Sequence, residues 1–248
     1  MRLSKYFFIL VFALPVHLFA KSWDGGSLSK WTLGLNFSPD YSYRVLIKTT
    51  PRSQATIDYR NDVDRPKLSF TTGFMTTYQF NDKINFEAGL LYADKGENTR
   101  LIYPNYIFLS GQNDPNIPVS FYNQYHEIYI DIPLKIAINY DRKKFSYFFA
   151  GGFSPSIYLY THYINTSNYH NGISKTFQSS EPRGNSFLNI AFIASAGIKY
   201  DLGTNFKLRI EPTYRQSFSS VVVGTEMKDY FYSLGLNMGI YYTFKTKH

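Results

Sequence analysis

The chain has 248 residues, with 26 Lys and Arg against 18 Asp and Glu, no cysteine, and an aromatic content of 19% that includes 23 Tyr and 22 Phe. Without cysteine there is no disulfide framework, no thiolate metal site and no acylated-cysteine anchor of the lipoprotein kind, so stability must come from the fold itself. The formal charge of +8 is modest and spread along the chain, which suits anionic lipid head groups and excludes a nucleic-acid stripe.

Residues 1–20 carry the three parts of a secretory signal: Arg2 and Lys5, an apolar core from Tyr6 to Leu14, and a short end closing on Ala20. The core is far shorter than the roughly 20 apolar residues of a membrane-spanning helix, so cleavage before Lys21 is expected. Removing it takes away Arg2 and Lys5 and no acid, leaving 24 basic and 18 acidic side chains, a formal +6. No apolar run of helix-spanning length follows. The remaining way to cross a bilayer is a closed barrel, whose alternating faces are averaged out in a mean hydropathy of -0.27.

Alternation recurs along the rest of the chain. A first strand, about 30–43, sets Trp31, Leu33, Leu35 and Phe37 against Thr32, Gly34, Asn36 and Ser38. A second, about 67–80, sets Leu68, Phe70, Phe74 and Tyr78 against Ser69, Thr71, Gly73 and Thr77, and the turn Asn81-Asp82-Lys83 leads to a third at 84–92 with Glu87 on its polar face. A fourth, 128–140, is apolar at every even position and bears Asp131 and Lys135 at odd ones. The fifth, from Phe145 to about 160, has one aromatic and one small-polar face. The sixth (188–200), the seventh (206–215, where Lys207, Arg209, Glu211 and Arg215 oppose Phe206, Leu208 and Ile210) and the eighth (230–244) complete the set.

Eight strands thus alternate short turns at 81–83, 141–144 and 201–205 with long connections at about 44–66, 93–123, 161–185 and 219–228. This pattern predicts an all-β fold: an eight-stranded antiparallel up-and-down transmembrane β-barrel with short periplasmic turns and long extracellular loops, occupying 21–248. A lipocalin-like soluble cup would turn its apolar faces inward, and eight broad aromatic faces do not fit inside so small a barrel. The aromatic rings also suit the girdles at the two membrane interfaces.

The runs Glu127-Ile128-Tyr129-Ile130-Asp131-Ile132-Pro133-Leu134 and Phe149-Ala150-Gly151-Gly152-Phe153-Ser154-Pro155 resemble the outer-membrane β-barrel domain family of Bacteroidota, the porin-like or PorT-like proteins. Gly34-Leu35-Asn36-Phe37-Ser38-Pro39 and Gly235 to Phe244 look like that family's first and last strands. The resemblance implies residence in a Gram-negative outer membrane among lipid and lipopolysaccharide, and other envelope proteins as partners. It also implies a C-terminal assembly strand that includes Gly239, Tyr242 and Phe244, and a role in protein secretion or outer-membrane biogenesis. It supplies no catalytic motif.

The inward charges Glu87, Asp131, Lys135, Arg209 and Glu211 form the candidate site. In a lumen just wide enough for its own side chains they must pair or draw in water, and a salt-bridged plug is the expected outcome. A narrow solute channel is the rival reading. A rim enzyme using His126, His162 or His170 is a second rival, but no spacing links these histidines to a partner. Asn61-Asp62-Val63-Asp64 and Asn113-Asp114-Pro115-Asn116 offer oxygens without a calcium-loop spacing and read as turns. No cofactor, metal or nucleic-acid partner is expected.

Overall fold

The computed structural model describes residues 30–104, 117–142, 144–182, 184–203, 205–223 and 227–244. The expected signal segment and the run Asn113–Asn116 lie outside them. In chain order the elements are β1 (Trp31–Lys48), α1 (Ser53–Val63), β2 (Asp64–Arg65), β3 (Lys67–Gln79), β4 (Ile84–Lys95), β5 (Asn98–Thr99), β6 (Pro118–Asp131), β7 (Leu134–Arg142), β8 (Phe145–Tyr169), β9 (Ser174–Glu181), β10 (Leu188–Asp201), β11 (Phe206–Ser217) and β12 (Met227–Thr243).

Eight staves close into a ring in the order β1, β3, β4, β6 with β7, β8, β10, β11 and β12, all neighbours antiparallel. The ring closes because β12 pairs along nearly its whole length with β1, from Thr32 opposite Thr243 to Lys48 opposite Met227. Closure leaves no unpaired edge within the wall, which a bilayer requires because lipid offers no hydrogen bonds.

Exposure settles which face is which. Leu35, Leu68, Phe74, Ile136, Phe149, Phe153, Ile210 and Ile240 are exposed, while Asn36, Ser69, Glu87, Lys135, Ser154, Arg209, Glu211 and Asn237 are buried. The apolar parity of each strand therefore faces out and the polar parity faces in, as in a membrane barrel. Ring pairs gather at the strand ends next to the short turns: Trp31 with Tyr78 at 4.8 Å, Phe145 with Tyr200 at 4.9 Å and Phe206 with Tyr242 at 5.1 Å. Further up, Phe70 stacks with Tyr92 and Tyr43 meets Tyr232 edge-on. These are the two belts at which an amphipathic ring is most stable.

Three expectations from the sequence need correction. The fourth strand is not continuous from 128 to 140: it breaks at Ile132-Pro133, because proline brings no amide hydrogen to the ladder. The break is bridged by Gly89 N–H donating to the Pro133 carbonyl (3.1 Å) and Ile132 N–H donating to that of Pro155 (2.8 Å). The long connections are not simple loops either. The first contains α1, and β6, β8 and β9 continue the wall outward as a three-stranded sheet, with β8 pairing β6 on one side and β9 on the other. β8 has 25 residues. At about 3.3 Å per residue that is roughly 80 Å, of which a bilayer accounts for only 9–11 residues. Lastly, Asn61-Asp62-Val63 is not a turn but the end of α1, and Asp64 opens β2.

Candidate functional site

The lumen is filled by layers of ion pairs. Starting near the short turns, Arg209 on β11 reaches across the full diameter of the barrel to Glu87 on β4, its opposite in the ring, with Nη1–Oε1 2.6 Å and Nη2–Oε2 2.9 Å. Lys135 on β7 is bound to Glu87 (3.1 Å) and to Glu211 (2.8 Å), and Arg209 is bound to Glu211 as well (3.0 Å). Two acids and two cations thus make a closed, charge-balanced ring whose side chains are at most 4% exposed. Ser195 donates to Glu211 Oε1 (2.5 Å) and Asn237 to Oε2 (3.2 Å), so every Glu211 oxygen is shared. Buried charges are tolerated only when paired and hydrogen-bonded to this degree.

Glycines stand opposite two members of the ring, each where a neighbouring atom approaches closely. Gly152 is the strand partner of Lys135, and a Cβ there would sit 2.0 Å from the Leu134 carbonyl oxygen. Gly239 is the partner of Arg209, and its Cβ would meet Asn36 Oδ1 at 2.2 Å. Beneath the ring the Phe148 ring lies 4.0 Å from the Arg209 guanidinium carbon, a cation–π contact strengthened by the exclusion of water. Phe148, buried on the small-polar face of its strand, was not among the residues the sequence singled out.

The fifth expected member, Asp131, lies elsewhere. It accepts from Lys95 Nζ (2.8 Å), which also reaches Ser156 (3.1 Å), in a separate layer farther out. Between the two layers Arg215 binds Asp40 (3.1 Å), which also accepts from Ser38 and Thr71. Asp40, Lys67 and Arg215 each sit on the inward parity of their strand, so alternation alone could have found them. Cavities within this column are small: about 10 Å³ beside Lys135 and Arg215, about 20 Å³ beside Lys95 and about 100 Å³ below Arg209 at the short-turn end.

Nearer the outer mouth Lys67 donates to Asp94 (2.6 Å) and meets His126 Nδ1 (3.0 Å), while the same Nδ1 lies 2.9 Å from Asp94 Oδ2. His162, the cross-strand neighbour of His126, lies with its ring centroid 6.1 Å away and tilted by 52°, and shares a hydrogen bond with Ser180 Oγ (2.7 Å). His170 is exposed at the tip between β8 and β9. The carboxylate of Asp94 orients His126, not the histidine that holds the serine. Uppermost, Arg44 is bound to Asp64, Glu97 and Asp229 together, and Arg60 from α1 touches the same three carboxylates at 3.0–3.4 Å. Beside them Val221 packs into a buried cluster with Ala93, Tyr129, Tyr158 and Phe231.

At the terminal strand Gly239 faces the lumen, as its clash with Asn36 requires, and Tyr242 faces outward between Phe206 and Phe244. Among the described residues no group of three or more His, Cys, Asp or Glu could hold a metal ion.

Solved structures with a similar course of the chain include Neisserial surface protein A (TM-score 0.47, 11% identity, 88% of this chain and 100% of that one) and the outer membrane protein AlkL in lipid bilayers (TM-score 0.43, 13%, 91% and 94%). Ail, the attachment invasion locus protein of Yersinia pestis, is similar at TM-score 0.35 and 9% identity over 86% of this chain and 99% of that one. At such identities and TM-scores the likeness carries no argument about this chain. No curated protein matches the chain in sequence. The model of the outer membrane protein beta-barrel domain matches residues 25–223. With a closed ring of eight staves, an apolar outer wall and a polar interior beneath that match, this chain is an outer-membrane protein of the beta-barrel domain family.

Proposed function

We propose that this protein is a non-conducting, non-enzymatic barrel that works by binding at its outer face, as a structural or accessory subunit of an envelope assembly. The observation that carries the reading is the ring of Glu87, Lys135, Arg209 and Glu211, which spans the lumen from β4 to β11 beside a cavity of only about 10 Å³. An ion crossing this layer would have to separate paired charges in a region of low dielectric, a step opposed by the same desolvation that makes buried pairs costly to break.

What remains available for work is the part beyond the bilayer: the sheet of β6, β8 and β9, and the mouth covered by α1. The PorT-like resemblance makes protein secretion or outer-membrane biogenesis the specific version, with other envelope proteins as partners and lipid and lipopolysaccharide around the wall. The terminal strand with Gly239, Tyr242 and Phe244 is the segment we assign to insertion. Planar-bilayer recording of the purified barrel tests the closure. Absence of steady current is expected, and a sustained ohmic conductance would replace this reading with a narrow passive channel. Affinity purification from native membranes identifies the partner.

A further inference from the structure

We infer that β9 is a self-recognition strand: it pairs edge to edge with β9 of a second copy of this chain carried on a facing membrane. The inference rests on the reading of the outer face as a binding surface and names its partner, while the closure of the lumen is a separate matter. Among the described residues β9 pairs with β8 alone, opposite Thr161 to Asn168, so its far side is an open edge. All of its residues but Ser179 are exposed, Phe177 at 62%.

The backbone groups along that edge follow from the hairpin. Tyr169 N–H donates to the Ile173 carbonyl (3.0 Å), which makes 169 and 173 a hydrogen-bonded pair. Bonded and unbonded pairs alternate in an antiparallel ladder, so Lys175, Phe177, Ser179 and Glu181 turn their backbone groups to β8, and Ser174, Thr176, Gln178 and Ser180 turn theirs outward. Side chains agree with this assignment. Ser174 bonds Asn168 (2.7 Å), Thr176 bonds Thr166 (3.4 Å) and Ser180 bonds His162 (2.7 Å), as the closer approach of unbonded pairs allows. A row of outward N–H and carbonyl groups at an unpaired edge is a template for a further strand.

Charge selects the partner. Lys175 and Glu181 are exposed and belong to no ion pair among the described residues; Lys175 Nζ lies 4.9 Å from the Tyr169 ring of its own hairpin. Charges on an edge ordinarily discourage pairing, but these two are opposite in sign and symmetric about Gln178. A two-fold axis through Gln178 joins the outward backbones as bonded pairs, Gln178 with Gln178 and Thr176 with Ser180. The same register sets Lys175 directly opposite Glu181 at both ends and Phe177 diagonally across from its own copy, contacts of the kind that stabilise antiparallel pairs. Moving the axis to Thr176 opposes Lys175 to Phe177, and moving it to Ser180 carries Lys175 past the end of β9.

Strand direction then decides where the second copy stands. β9 runs back toward the bilayer, so two barrels in one membrane can join these edges only in parallel, with Lys175 beside Lys175 and Glu181 beside Glu181. Antiparallel pairing reverses one copy, and a reversed barrel belongs to a facing membrane. β8, with its 25 residues, carries the edge clear of the bilayer for that contact. One short strand pair is weak, but two apposed surfaces bring many copies together and the contacts act by avidity.

The test inserts the full chain into two populations of phosphatidylcholine vesicles carrying different dyes and reads clustering by light scattering and by coincidence of the dyes. Insertion with the outer mouth outward is established first by impermeant labelling of Asn171→Cys. The unaltered protein should cluster the vesicles. Gln178→Pro should abolish clustering, because proline removes a donor from the open edge while the bonds to β8 use the odd positions. Lys175→Glu and Glu181→Lys should each reduce it by about tenfold, two attractive contacts having become repulsive. Mixing Lys175→Glu vesicles with Glu181→Lys vesicles should restore it, since each mixed pair again opposes Lys to Glu. Dispersed vesicles with the unaltered protein, charge variants that cluster as the parent does, or a mixture of folded variants that stays dispersed would each overturn the inference. Should a charge variant fail to fold, the unaltered chain decides alone: it must join vesicles that bear it and ignore bare ones, and adherence to bare vesicles would make lipid the partner and overturn the pairing. Vesicles that cluster yet pass ions would sink the closure and keep this inference; sealed vesicles that stay dispersed would do the reverse.

Discussion

Glu87 and Arg209 meet in a two-pronged pair at 2.6 and 2.9 Å although 122 residues separate them and their strands stand on opposite sides of the barrel. No local feature brings them together. They meet because β4 and β11 both deliver an inward side chain to one layer, and an eight-stranded barrel is narrow enough for an arginine to span it. The contact spans the lumen and ties opposite walls to each other.

The first prediction follows from that tie. Arg209→Met or Glu87→Gln alone leaves an uncompensated buried charge and should destabilise the barrel by about 3–5 kcal/mol, whereas the double replacement should cost less than the sum of the two. Heat-modifiability on unboiled gels, read as a function of temperature, measures all three variants. Strictly additive losses would show that the two side chains act independently.

Phe148 should matter nearly as much, though it carries no charge. Its ring is 1% exposed and supports Arg209 from below, so Phe148→Ala both opens a cavity and removes the cation–π contact. A loss of about 3–5 kcal/mol is expected from the cavity. Intermittent currents in planar bilayers should accompany it, where none is expected of the intact chain. A stable, silent Phe148→Ala variant would remove Phe148 from the plug.

The two faces of β11 should respond in opposite ways. Ile210 is 52% exposed on the outer wall and Thr213 is 5% exposed toward the lumen. Ile210→Arg should cost roughly 2–4 kcal/mol in a bilayer, and Thr213→Ser, which keeps the hydroxyl that donates to the Glu211 carbonyl, should be nearly silent. Folding free energies in lipid vesicles distinguish the two.

Orientation is checked with single cysteines in this cysteine-free chain. Asn171, exposed between β8 and β9, and Asp82, exposed between β3 and β4, lie at opposite ends of the barrel. Asn171→Cys should react with an impermeant maleimide on intact cells, and Asp82→Cys only after lysis. The reverse labelling pattern would turn the barrel over.

The sequence by itself determined the wall. Alternation along Lys207-Leu208-Arg209-Ile210-Glu211 separates the lipid face from the lumen face without any tertiary knowledge, because a side-chain period of two leaves a strand no other way to sort polar from apolar groups. It also put Glu87, Lys135, Arg209 and Glu211 on the inner face. What it could not decide was who meets whom. Asp131 shares that face, yet binds Lys95, a residue just beyond the point where alternation in the third strand ends at Tyr92. Partners across a lumen are chosen by the stagger of strands and by the closure of β12 on β1, neither of which is written in the spacing of any one strand. The same holds for Phe148, an apolar residue on a polar face that only the guanidinium opposite explains. It holds also for α1, whose first turn has no side-chain cap and no acid to mark it, and whose Arg60 is fixed by carboxylates from β2, the β4–β5 connection and β12. Periodicity is a property of the local backbone and is legible from one end of the chain to the other. The pairing of buried charges is a property of the closed ring, and only the tertiary structure could set it.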